Sequence, residues 1–454
     1  SEPGQFITWG YYDQYVTDEL CEFLRIDGVP DGTYDLVVEE NTDRLINCDG
    51  TESSCHFDGR LDDNVVAMRI TIAGSQVSFP APSLEGGATG LGPFEMLGAP
   101  AVVTHAIDTY DLYYVASDHG LYTLHQNASG VWTGAGGGSS DAGSLVFNPS
   151  AAGYPMTGTI AAVVVDNRAL ATPTIRTDVF GGATTGDLLR FSITGSGLQV
   201  FQYGVAGQGY GIAGTAAVVD SSAKNAIAVW TTPQGAVAFG SYSGTDWLPP
   251  RLVSAPFVAA SQTPGLTSSG DGMFHLFIKD SSGNAWYDQY VNGAWGTWQQ
   301  LSTGAVAPWQ GNLAAVSSYM RSADVFATTT DHRVFRNTWT ETDAGQGFSG
   351  WSDPLAGNNA DRRVGSSLTA VSTGTRKKDV FFYDAISPTM LWQLHYDETV
   401  TGPQPPALPW TLRNLSKILV VQPMWPVVVG SWADNTFDLF QKFTDARIGV
   451  RRQR

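Results

Sequence analysis

The chain has 454 residues, of which 43% are hydrophobic, 11% aromatic and only 15% charged, with 51 glycines among them. That composition builds a packed core and excludes a disordered or coiled-coil chain. With 25 basic and 43 acidic residues the formal charge is −18, which excludes a nucleic-acid-binding surface and one that docks on anionic lipid. No apolar run reaches the ~18 residues of a membrane span. The opening Ser1-Glu2-Pro3-Gly4 carries neither a basic n-region nor an apolar h-region, so any signal peptide is expected to have been removed already.

Residues 1 to about 80 read as short strands and tight turns: Phe6-Ile7-Thr8-Trp9, Phe23-Leu24-Arg25-Ile26, Tyr34 to Val38, and Val65 to Ile72. Pro30-Asp31-Gly32 is a turn signal between two of these runs. The pattern predicts a small β-sandwich, or part of one. Cys48 and Cys55 close a loop rich in turn formers, and a disulfide between them is expected in an oxidising compartment. The rival, a metal pair, lacks the further cysteines or histidines to complete a site. Cys21 is left odd. The sequons Asn127-Ala128-Ser129 and Asn414-Leu415-Ser416 fit a secreted or cell-surface glycoprotein.

Tyr12-Asp13-Gln14-Tyr15, Cys21 six residues on, the run from Ile26 to Tyr34, and Asp63-Asn64-Val65-Val66 resemble the C-terminal part of the lysyl oxidase catalytic domain. The resemblance implies that Tyr15 stands where that family forms its lysine tyrosylquinone. The family's copper histidines and crosslinking lysine lie upstream of the matching segment, and nothing in this chain replaces them. The seven histidines (56, 105, 119, 125, 275, 332 and 395) show no ligand spacing. This chain alone is therefore expected to have no cofactor and no amine oxidase activity. Copper and the quinone enter only in an alternative, where it is the non-copper half of a processed oxidase with a separate upstream chain.

Beyond residue 86 a repeat dominates. An acidic-aliphatic-aromatic triplet recurs as Asp111-Leu112-Tyr113, Asp178-Val179-Phe180, Asp324-Val325-Phe326, Asp379-Val380-Phe381 and Asp438-Leu439-Phe440. Degenerate copies are His275-Leu276-Phe277 and Ala228-Val229-Trp230, which makes seven at a period near 50 residues. Each copy has an apolar β-run before the triplet, a polar turn after it, an aromatic or apolar residue nine positions on, and then a bulky residue near a loop. Four short runs per period describe a propeller blade. The expected fold is all-β: a seven-bladed β-propeller over residues 86–454, preceded by a small β-sandwich-like domain over residues 1–80. The last copy is short, and Pro93 to Leu97 is expected to supply its missing strand and close the ring.

Two stretches, Ala323 to Phe335 with Gly350-Trp351, and Met273 to Trp286 with Trp295 to Trp298, resemble the PLL-type, fucose-binding seven-bladed propeller lectins. That resemblance implies sugar binding between blades. Sugars stack their C–H face on aromatic rings, and the candidate rings are Tyr290, Trp339 and Tyr396 on third strands, with Trp132, Trp295, Trp351 and Trp410 near loops. The plain alternative is that these rings pack blade on blade. Gly-rich loops without a following helix, the absence of a Gly-x-Ser-x-Gly elbow and the absence of spaced metal ligands leave no catalytic constellation. The expected function is a secreted, multivalent lectin for neutral sugars, with glycans or glycoproteins as partners. The alternatives are the processed oxidase half and a structural or assembly protein with neighbouring subunits.

Overall fold

The computed structural model describes residues 32–39, 65–73 and 76–78, then most of 96–453; the longest omitted stretches within the latter are 135–143, 167–174, 302–308, 356–363, 399–409 and 416–427. The chain divides into two compact units, one of residues 1–84 with 453–454 and one of residues 85–452. In the first unit, strands β1 (Gly32–Glu39), β2 (Val65–Ala73) and β3 (Gln76–Ser78) form an antiparallel sheet in that order. The runs Tyr34 to Val38 and Val65 to Ile72 are thus strands, paired across Tyr34 and Ile70. Tyr15, Cys21, Cys48, Cys55 and Asn127 lie outside the described residues.

The second unit contains seven antiparallel sheets among the described residues. We number them blades 1 to 7: residues 101–147, 156–204, 217–253, 265–300, 309–348, 369–414 and 428–453. Blades 1 to 6 carry at least four strands in meander order, and blade 7 shows three. The first strand of every blade touches the first strand of the next, and the first strand of blade 7, Val428–Ala433, touches that of blade 1, Ala101–Ala106. The ring is closed.

Side chains of a strand alternate between the two faces of its sheet, and in this ring both faces are buried. Val325 packs between blades 4 and 5, while its neighbour Phe326 packs between blades 5 and 6. Seven apolar clusters result, each drawn from two consecutive blades. The triplet aromatics Tyr113, Phe180, Phe277, Phe326, Phe381 and Phe440 each fill the interface with the following blade. Phe440 is the residue that closes the circle, meeting Tyr110 of blade 1 edge-on at 5.7 Å.

Two expectations change. Blade 3 is displaced by one residue from the triplet assigned to it. Thr232 N bonds Ala236 O at 2.8 Å as Asp280 N bonds Asn284 O, which puts Val229 at the aromatic position. Val229 faces blade 4, and Trp230 faces blade 2 instead, its Nε1 donating to Tyr210 O at 3.0 Å. A slip of one residue exchanges every face of a strand, so an aromatic match alone misplaced this copy.

The second change concerns closure. Met96 pairs with Ala116, and Leu97 N donates to Val115 O at 2.9 Å, so this segment joins blade 1 and does not complete blade 7. The same tie recurs where Ala259 pairs with Asp280 and Val364 with Asp384. It is the entry of each blade, used here by the first. Pro93 to Glu95 lie outside the described residues.

The scattered histidines also fall into the repeat. His119 and His332 occupy the left-handed position of one turn at φ 64° and 65°, where Gly186, Gly235 and Gly283 stand in other blades. Each repays the strained backbone with a tether: Nδ1 bonds the carbonyl of Met156 or Val364, at 2.8 and 2.9 Å, in the segment entering the next blade. Because closure rests on packing at Phe440, Phe440→Ala should destabilise the protein by about 3–5 kcal/mol in urea unfolding, as for a fully buried core phenylalanine. A loss under 1 kcal/mol would show that the blade 7–blade 1 contact does not hold the ring.

Candidate functional site

The second-strand position two residues before the aromatic lies on the same face, toward the following blade. It holds Asp111, Asp178, His275, Asp324 and Asp379, and in blade 3 the corrected register places Ile227 there. Across the groove, blades 4, 5 and 6 each present a third-strand ring and a fourth-strand ring, where blade 2 has Ile193 and Leu198. Tyr290, Trp339 and Tyr396 do share one register, opposite Phe274, Ala323 and Lys378. Their fourth-strand partners are Trp295, Phe348 and Trp410.

Groove 2/3, between blades 2 and 3, has the same frame with Tyr242 and Trp247, which sequence reasoning did not select. Trp351 is not part of this frame; it packs against Trp309 at 4.3 Å with the rings tilted by 41°, and Phe348 takes the place assigned to it. Trp132 pairs with Gln126 in the matching register, and Asn414 lies in the last strand of blade 6 opposite Trp392; their side chains are outside the described residues.

Most of these rings are packing elements. Trp339 is 2% exposed, Trp410 5% and Tyr396 8%. Trp339 lies 4.4 Å from the His275 ring, and Trp410 meets Phe326 edge-on at 5.7 Å. Tyr290 and Trp295, half-buried, enclose Phe239 in an apolar groove 3/4. None of the three buried rings offers an open face for stacking.

What distinguishes the grooves is their polar content. In groove 2/3 Asp178 is fully buried; its Oδ2 accepts from Arg176 Nε and from Trp247 Nε1, both at 2.9 Å. Its Oδ1 has no partner among the described residues. Arg190 donates to Asp246 Oδ1 at 2.8 Å and lies 4.1 Å over the Phe201 ring, and Arg176 lies 5.2 Å over Tyr242. Burial pushes the Asp178 carboxyl above the ordinary carboxylate range, against the pull of Arg176, Trp247 and Arg190.

Groove 5/6 inverts that balance. Asp324 accepts from Arg336 Nε at 2.7 Å and Thr338 Oγ1 at 2.6 Å, and is paired with Lys378. Burial alone would raise its carboxyl, but Lys378 and Arg336 hold it below the ordinary range. In groove 4/5 His275 is buried, bonded to Ser269 Oγ at 2.5 Å and Tyr287 OH at 3.0 Å, and burial pushes its pKa down to about 3. His125 and His395 sit beside Asp111 and Asp379 at 2.7 and 2.8 Å, one strand over.

A sequence signal existed in part: an arginine follows the aspartate by twelve residues in both grooves, and it pairs with that aspartate in Asp324/Arg336, while Arg190 turns to Asp246 and Asp178 pairs with Arg176. Among the described residues no three His, Cys, Asp or Glu side chains gather as metal ligands, and no helix is long and apolar enough to cross a membrane.

No family model matches the chain, and no curated protein does. Among solved structures it is similar to the BP39L lectin of Burkholderia pseudomallei, with TM-score 0.58 and 16% identity over 79% of this chain and 96% of that one. Aleuria aurantia lectin in complex with α-methyl-L-fucoside aligns at TM-score 0.44 and 13% identity, over 71% and 96% of the two chains. AofleA of Arthrobotrys oligospora aligns at 0.41 and 10%, over 71% and 87%. The first of these is a likeness of fold. None supports the lysyl oxidase resemblance of residues 1–80.

Two equivalent aspartates should therefore respond oppositely to the same change. Asp324→Asn leaves Lys378 and Arg336 buried without their anion and should cost about 3–5 kcal/mol at pH 7. Asp178→Asn removes a desolvated charge and should be neutral or stabilising. Since the folded pKa of Asp178 is raised, the wild type should gain on this variant as the pH falls from 7 toward the unfolded value, where both side chains are neutral. Equal losses for the two variants in urea unfolding would contradict the assignment. His275, with its folded pKa lowered to about 3, should make stability fall as the pH drops from the unfolded value near 6.5 toward 3. His275→Gln should flatten that part of the pH profile, and an unchanged slope would place the titration elsewhere.

Proposed function

We propose that this chain is a carbohydrate-binding protein of lectin type that takes neutral sugars in its inter-blade grooves, with groove 2/3 as the principal seat. The observation that carries the reading is Asp178: a buried carboxylate with one oxygen free of protein donors, set between guanidinium groups and the Tyr242 and Trp247 rings. A buried acceptor without a donor calls for a hydroxyl or water, and the arginines supply donors for a ligand's oxygens. Tyr242 and Trp247 are as buried as the rings of the other grooves, at 5% and 6% exposure, so the reading rests on the polar groups.

The lectin-type fold supports the reading, and the net charge of −18 favours neutral over anionic glycans. Fucose-containing sugars come first, because residues 323–351 resemble fucose-binding propellers. Several grooves on one ring would give avidity from weak sites. We also place the protein outside the cell, as its sequons and the Cys48–Cys55 pair lead one to expect. A purely structural role is the second reading, favoured by the burial of Trp339, Tyr396 and Trp410 in blade cores.

A neutral-glycan array separates the two. The wild type should bind, and Asp178→Asn should weaken binding 10- to 100-fold, the loss of a charge-assisted hydrogen bond of about 1.5–3 kcal/mol, while keeping its melting temperature. A wild type that ignores the array, or a variant that binds as well as the wild type, would hand the protein to the structural reading.

A further inference from the structure

Grooves 2/3 and 5/6 share one strand position and differ in what fills it: Arg176 and Trp247 donate to Asp178, with Arg190 turned to Asp246, whereas Arg336, Thr338 and Lys378 donate to Asp324. In groove 5/6 both oxygens of the aspartate are taken: Asp324 Oδ1 by Arg336 Nε and Thr338 Oγ1, at 2.7 and 2.6 Å, and Oδ2 by Lys378 Nζ. Lys378 stands directly before Asp379 on the second strand of blade 6, so strand alternation points it back at blade 5 while Asp379 points away. The two paired side chains are 2% and 1% exposed. The Lys378 ammonium also lies 4.8 Å over the Tyr396 ring, and the Arg336 guanidinium lies 5.0 and 5.3 Å over Tyr396 and Trp410. The ring faces and the carboxylate are therefore engaged together.

Blade 3 has Ala226 where blade 6 has Lys378, directly before the corresponding second-strand position; its carbonyl accepts from Tyr242 N at 2.8 Å, which fixes the register. An alanine methyl brings no donor to Asp178, and Oδ1 stays without one among the described residues.

We propose that Lys378 is a built-in ligand of groove 5/6: its ammonium takes the carboxylate oxygen that a sugar hydroxyl would take in groove 2/3, so groove 5/6 is closed to sugar. This rests on the carbohydrate reading of groove 2/3. An ammonium tethered to the fold competes at high effective concentration, and an ammonium–carboxylate pair is stronger than a hydroxyl–carboxylate bond. The residue at this one position, lysine or alanine, then decides which groove of the ring is competent.

Equilibrium dialysis with labelled α-methyl-L-fucoside counts the sites. Lys378→Ala should bind one more molecule per chain than the wild type, and adding Asp324→Asn should remove the added site. The reciprocal variant, Ala226→Lys, should lose one site by delivering an ammonium to Asp178. Circular dichroism checks the fold, and Lys378→Ser replaces Lys378→Ala if the latter does not fold. A folded Lys378 variant with the wild-type count, or a folded Ala226→Lys that keeps every site, overturns the proposal. If the wild type binds no fucoside and Lys378→Ala binds one, the role of Lys378 stands and the reading of groove 2/3 falls. If neither binds, both fall.

Discussion

The structure depends on the two-residue period of a strand placed between two neighbours. In an ordinary sheet with one wet face, a residue's parity decides between core and solvent. In this ring parity decides which of two blades a residue serves. Val325 and Phe326, adjacent in sequence, belong to different cores. Lys378 and Asp379 likewise serve different grooves, one reaching back to Asp324 and the other bonded to Gln393 and His395 in its own blade. Seven apolar clusters and the polar positions above them follow from that single rule.

The rule also makes a position chemically versatile. A carboxylate two residues before the interface aromatic is buried at Asp178, Asp324 and Asp379 and partly exposed at Asp111, and its charge is set by the partners around it. Asp178 faces an indole N–H and keeps one oxygen unsatisfied; Asp324 faces an ammonium and is saturated. Burial pushes the first carboxyl up, and the ion pairs of the second pull it down. Blade 3 abandons the polar group, with Ile227, and its groove is lined by Phe239, Tyr290 and Trp295. Repetition fixes the scaffold, and the grooves vary on it, which is how one fold carries different sites.

The aromatic residues are the point at which packing and binding compete. Large rings bury well and orient edge-on against one another, so a blade interface uses them whether or not a ligand is bound. Trp339 spends its surface on His275, and Trp410 on Phe326. A ring selected from sequence for its stacking capacity is therefore ambiguous until its neighbours are known. The polar groups are less so, because a buried carboxylate oxygen without a donor has no packing purpose.

Sequence by itself determined the all-β class, the seven-fold repeat and the strand positions of Tyr290, Trp339 and Tyr396, because hydrophobic period and turn residues are local. It also placed strands at Tyr34 to Val38 and Val65 to Ile72 in the first unit. It misplaced blade 3 by one residue, since Trp230 satisfies an aromatic pattern from the wrong face, and it assigned Met96-Leu97 to the last blade when they enter the first. It marked Asp178 as a repeat position but not as a site residue, and it could not select Arg176, Lys378 or Tyr242. Those residues are ordinary in sequence and become a site only when the ring brings the second strand of one blade against the next, where burial and the identity of a single cross-groove neighbour decide their charge and their partners.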